Sequence, residues 1–139
     1  MGALEDWKLA VLAQGGVAIV QDLVDAYAAQ HPTNPDRRNR QSVAIHLMSL
    51  CAGLEHGLPG NQRRNRIGSW AHRDYPLLRP APRGYAVTIS DVFAAPDQGR
   101  SERATLMAVV TWRAWSEHHE TIRKWLASTW APGASTERL

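Results

Sequence analysis

Residues 101 to 130 alternate between an apolar stripe and a charged one, and that polarity confines the chain to a helical architecture. Ala108, Trp115, Ile122 and Leu126 share one face, flanked by Trp112 and Trp125, while Arg113, Glu117, Glu120 and Lys124 lie opposite. An isolated helix gains little from its own hydrogen bonds, so its apolar stripe must be covered by other elements. Residues 16 to 30 supply one, with Val20, Val24, Tyr27 and His31 in a row at helical spacing; Pro32 disfavours a helical His31 and ends it. A second runs from about Arg40 to Glu55, where Val43, Leu47, Leu50 and Leu54 form a stripe and Gly57 provides the stop. A short helix over about residues 3 to 13, broken by Gly15-Gly16, precedes them, and Trp7 and Trp70 are expected to cover the ends of the bundle.

Between the second and third main helices, Pro59, Gly60, Gly68, Pro76, Pro80, Pro82 and Gly84 predict a long loop without long regular elements. Thr88 to Ala94 fits either a short capped helix or a short extended segment. The expected fold is therefore all-α, a small helical bundle with a long Pro/Gly-rich loop, forming one domain over residues 1–130 with a fraying tail at 131–139.

Several function classes drop out. No apolar run approaches the length of a membrane span, so no membrane association is expected, and the acidic N-terminus Met-Gly-Ala-Leu-Glu-Asp-Trp does not resemble a signal peptide. Cys51 is the single cysteine, which excludes an intrachain disulfide and a cysteine-rich zinc site and fits a reducing cytoplasm; its place on the apolar side of the second helix reads as an inert buried thiol. No phosphate-binding glycine loop, nucleophile elbow or dinucleotide fingerprint is present.

The histidines carry the functional reading. Helical geometry turns four of six inward: His31 ends the first row, His46 borders the apolar face of the second helix, and His118 and His119 straddle the stripe of the third, about 100° apart. A neutral imidazole among apolar groups needs a hydrogen-bond partner, a proton or a metal. Asp25 and Tyr27, on the first helix, can complete a polar cluster. Asp25, His31, His46, His118 and His119 are thus the candidate ligands of a divalent metal, zinc or iron. Asp25, His31, His46 and His119 are the corresponding catalytic set if imidazole instead serves as acid and base. His56 and His72 read as surface or loop residues, and the tryptophans read first as packing.

A second reading rests on charge. Fourteen of sixteen basic residues are arginine, and Arg37, Arg38 and Arg40 form one cluster while Arg63, Arg64 and Arg66 form another. Two such clusters flanking a helix suit a module that binds nucleic acid or an acidic protein partner.

The strings Val-Asp-Ala-Tyr-Ala-Ala-Gln-His-Pro (24 to 32) and Gln-Ser-Val-Ala-Ile-His-Leu (41 to 47), then Trp112 to Trp115 running into His118-His119, resemble a family of small bacterial domains of unknown function. The resemblance spans about residues 20 to 127. It marks Asp25, Tyr27, Gln30, His31, Ser42, His46 and His119 as matching polar positions. Many relatives carry an early cysteine-containing segment and a histidine four residues before the aspartate; here the cysteines are missing and that position is Gln21, so that if relatives bind metal through those groups, the site is lost or altered in this chain. A vaguer likeness is to helical bundles that hold a divalent metal with three histidines from different helices. The expectation that results is a small-molecule-binding helical domain with a buried His/Asp pocket, metal-dependent or acid/base in chemistry. Tyr27, Gln30, Ser42, Trp112 and Trp115 are expected to contact the small molecule, and the oligomeric state, a homodimer included, stays open.

Overall fold

In the computed structural model, the described residues are 20–32, 36–71, 73–96 and 99–130, and they contain helices and no strand. Helix α1 is seen over residues 20–30. It is followed by α2 (Arg37–His56), α3 (Gly60–Trp70), α4 (Ile89–Ala94), α5 (Arg100–Ala114) and α6 (His119–Thr129), with a 3-10 turn at Ser116–His118 joining the last two. The expected helix at residues 3 to 13, its Gly15-Gly16 break, Trp7, His72 and the tail at 131–139 lie outside the described residues. No described helix is long and apolar enough to cross a membrane.

Helix α2 is the hub, packing against α3, α5 and α6. Its ends are set by local chemistry. The Asp36 carboxylate accepts the Asn39 backbone N–H at 2.9 Å, capping the start. At the other end Gly57 takes a left-handed conformation (φ 68°), and the amides of Gly57 and Leu58 reach back to Gly53 and Ala52. Only glycine adopts that conformation without strain. Replacing Asp36 by alanine is expected to lower stability by about 1 kcal/mol in urea unfolding, because the side-chain bond to the Asn39 backbone N–H is lost.

Val43, Leu47, Leu50 and Cys51 of α2 meet Ala108, Trp112 and Trp115 of α5 and its end, and Ile122 and Leu126 of α6, in the main core. Leu54, expected on this stripe, is exposed. A smaller cluster joins Leu23 and Ala26 of α1 to Val87, Val92, Ala104 and Met107.

Three expectations are corrected. The buried face of α1 is Gln21, Leu23, Asp25, Ala26 and Ala29, whereas Val20, Val24 and Tyr27 are half-buried and His31 is exposed. Small alanines allow the close approach, and the polar members are buried because they are hydrogen-bonded. Secondly, residues 57 to 86 are not all loop, since α3 occupies eleven of them. Pro59 sits at its N-cap, where a missing N–H costs nothing, so the breakers bound this helix rather than interrupt it. Only Gly60, Arg63 and Trp70 of α3 are buried, too few to show a periodic stripe.

Thirdly, the long helix expected over 101 to 130 breaks at Trp115, where the chain tightens into the 3-10 turn. Trp115 is fully buried, and its indole N–H donates to the Ala29 carbonyl at 3.2 Å. The segment at Thr88 resolves as a helix: Thr88 and Asp91 form a reciprocal capping box.

Candidate functional site

Asp25 anchors a polar network at the junction of α1, α2 and α3. Its carboxylate has no exposure to solvent. One oxygen accepts from Gln21 Nε2 at 2.7 Å and from His46 Nδ1 at 2.8 Å; the other accepts from Ser49 Oγ at 2.5 Å. Arg63 of α3 completes it, donating through Nε to Ser49 Oγ (3.1 Å), through Nη1 to the Leu58 carbonyl (3.1 Å) and through Nη2 to Asp22 (2.5 Å). The same Nη2 lies 3.5 Å from Asp25 Oδ2. Burial pushes the Asp22 carboxyl above its ordinary range, an effect that the neighbouring Arg63 guanidinium opposes without cancelling.

The helical repeat explains the gathering. Gln21 and Asp25 are one turn apart on α1, and His46 and Ser49 are one turn apart on α2. The carboxylate, being an acceptor only, requires the hydrogen on His46 Nδ1, which leaves Nε2 of the neutral ring as a free lone pair. The His46 side chain is 14% exposed, so the ring bridges the buried carboxylate and the surface.

The other expected ligands do not join this point. His31 Nδ1 donates to the Tyr27 carbonyl at 2.7 Å, with its ring 4.1 Å from that of Tyr27. His119 Nε2 donates to the Trp112 carbonyl at 2.6 Å and lies flat on the Trp112 indole, the ring centroids 3.7 Å apart. His118 Nε2 donates to the Pro80 carbonyl at 2.8 Å. Two of these carbonyls sit at the C-terminal ends of α1 and α5, where the regular ladder stops, and that of Trp112 also accepts the Trp115 backbone N–H at 3.1 Å. His31 and His119 therefore serve as helix-end partners, and of the five expected ligands the structure brings together Asp25 and His46.

The expected small-molecule contacts divide similarly. Gln30 donates to the Val87 carbonyl and to Thr111 Oγ1, both at 2.9 Å, tying α1 to the irregular segment and to α5. Trp112 and Trp115 are buried in the main core, Tyr27 packs on His31, and Ser42 is partly exposed on α2. A cleft of about 360 Å³ opens elsewhere, between residues 80–83 and the turn at 114–118, with Arg83, Glu117 and His118 in its wall.

Of the six clustered arginines, Arg63 is buried in the network, Arg40 donates to the Tyr75 carbonyl and to Asp74, and Arg66 lies over the Trp130 ring. Arg37, Arg38 and Arg64 are exposed.

Sequence reasoning missed Gln21 as a partner of the carboxylate, and Asp22, Ser49 and Arg63 as members. The signal for Ser49 was present, one turn beyond His46; none marked Arg63. It also passed over a group at the end of α2: Cys51, Glu55 and His56 present ligand-type atoms within 4.8 Å of one another. Burial and the adjacent Glu55 push the Cys51 thiol up to about 12.

Residues 9–132 match the model of a family described as a family of unknown function, DUF5946. Neither a curated protein nor a solved structure matches the chain.

Proposed function

We propose, for a chain that belongs to the family of unknown function DUF5946, that Asp25 and His46 form an acid–base dyad acting on a small molecule at the surface of α1 and α2. The observation that carries this reading is the 2.8 Å bond from His46 Nδ1 to a carboxylate without solvent exposure, beside a ring that is itself partly exposed. A buried carboxylate held by Gln21 and Ser49 fixes the tautomer and orientation of the imidazole. Nε2 has no hydrogen-bond partner among the described residues, so it is the atom that would exchange a proton with a ligand. Asp25 is then a positioning residue and His46 the group that touches substrate. The dyad needs no third histidine, which accords with the backbone bonds of His31 and His119.

His46→Asn tests this, because an asparagine amide can keep the donor to Asp25 while removing Nε2. Fragments bearing carboxylate, phosphate or carbonyl groups, screened by NMR against the labelled full chain, are expected to include binders that shift the His46 ring signals. These should bind His46→Asn at least about tenfold more weakly, one hydrogen bond to a charged group being worth 1.5–3 kcal/mol. Binders that leave the His46 ring unmoved and bind the variant equally well would falsify the dyad as the working site.

A further inference from the structure

Helix α2 ends on three side chains that neither the core nor the dyad uses as a set. Cys51 and Glu55 are one turn apart, and His56 follows at the last helical position. Cys51 Sγ lies 3.6 Å from Glu55 Oε1, and one ligand atom from each of the three residues falls within 4.8 Å of the others. A tetrahedral ion about 2.3 Å from sulfur and about 2.0–2.2 Å from nitrogen and oxygen sets its ligands about 3.3–3.7 Å apart. The cysteine–glutamate edge already has that length, and the exposed His56, whose ligand atom lies within 4.8 Å of both, has at most about 1 Å to close.

We propose that Cys51, Glu55 and His56 bind a zinc-like divalent cation at the C-terminal end of α2, with water as the remaining ligand. One sulfur, one nitrogen and one oxygen suit a borderline cation, whereas calcium and magnesium take oxygen sets. The end of a helix also carries partial negative charge from its last carbonyls, which favours a cation there.

Arg123 of α6 marks where that charge belongs. Its guanidinium forks onto Glu55, with Nε to Oε1 at 2.8 Å and Nη2 to Oε2 at 2.6 Å. The arginine side chain is 52% exposed, so it can swing into water and yield the carboxylate. His56 is oriented by the Trp130 indole, edge to face at a centroid distance of 5.6 Å. On binding, the metal–sulfur bond replaces the S–H bond of Cys51, the proton passes to solvent, and the Arg123 fork opens.

Cobalt(II) alone, titrated into the untagged full chain, provides the test. Cys51 is the single cysteine, so a thiolate-to-cobalt charge-transfer band in the near ultraviolet can arise from no other residue. A saturable band at one equivalent is expected, absent in Cys51→Ser and displaced by zinc but not by magnesium. His56→Ala and Glu55→Gln, at exposed positions, should each weaken cobalt by at least about tenfold, and Arg123→Ala should tighten it by freeing Glu55. No thiolate band at saturating cobalt overturns the proposal, and so does a band of unchanged affinity in both His56→Ala and Glu55→Gln, which would report a lone thiol. The ligands are separate from Asp25 and His46, so either site can fail without the other.

Discussion

Asp25→Ala is expected to lower the unfolding free energy by about 3–5 kcal/mol, the range for removing one partner of a buried charge pair. A domain of this size is stable by only about 5–15 kcal/mol, so the variant should be marginal at room temperature. The loss is not that of a single bond. With the carboxylate gone, the Gln21 amide, His46 Nδ1 and Ser49 hydroxyl lose their common acceptor, and among the described residues Arg63 keeps only Asp22 as a counter-charge. Each buried donor left without a partner costs its own desolvation, about 1–3 kcal/mol for a neutral group.

Asp25→Asn is an instructive companion. It preserves volume but turns one acceptor oxygen into a donor amide, and both carboxylate oxygens of Asp25 face donors. A loss of about 1–3 kcal/mol is expected, between wild type and alanine. Urea unfolding followed by tryptophan fluorescence reads both, since Trp70 and Trp115 are almost completely buried. If Asp25→Ala unfolds within about 1 kcal/mol of wild type, the network is not what fixes α1 against α2 and α3.

That network also shows where the sequence was readable. The end of α2 followed from Gly57 and most of its buried face from the stripe, because a left-handed cap and an amphipathic face are local features, although the helix starts at Arg37, before the expected Arg40. His46 and Asp25 were identified by position on their helices, and they do meet. The wider gathering of His31 and His119 failed for a physical reason: an imidazole near a helix end has carbonyls within reach that can accept its N–H, and these local partners satisfy it more readily than a distant cavity. Arg63 was illegible for the opposite reason. It stands in a run with Arg64 and Arg66 on a polar helix, and nothing in that run separates the one guanidinium that turns inward from the one that stays in water. The break at Trp115 was hidden because the apolar stripe continues across it in register, so periodicity alone could not reveal that the backbone tightens there.

Gly53 records the partner of Arg63 from the other side, and Gly53→Ala should expose it. In the interior of a helix this change ordinarily stabilises by about 0.5–1 kcal/mol. Here the new Cβ would lie 2.7 Å from Arg63 Cζ and 3.2 Å from Cδ, and closer still to Nη1. A guanidinium is the free end of a flexible chain and could retreat, but this one is held by Ser49, the Leu58 carbonyl and Asp22. Any retreat that clears the methyl breaks those bonds, so overpacking wins over helix propensity and a net loss of about 2 kcal/mol is expected. The sign should reverse where no guanidinium is present. In an Arg63→Met background, itself destabilised, Gly53→Ala should gain about 0.5–1 kcal/mol, and the two responses define a coupling between the positions. Equal effects in both backgrounds would mean that the close approach of α2 to the Arg63 side chain is not why glycine stands at position 53.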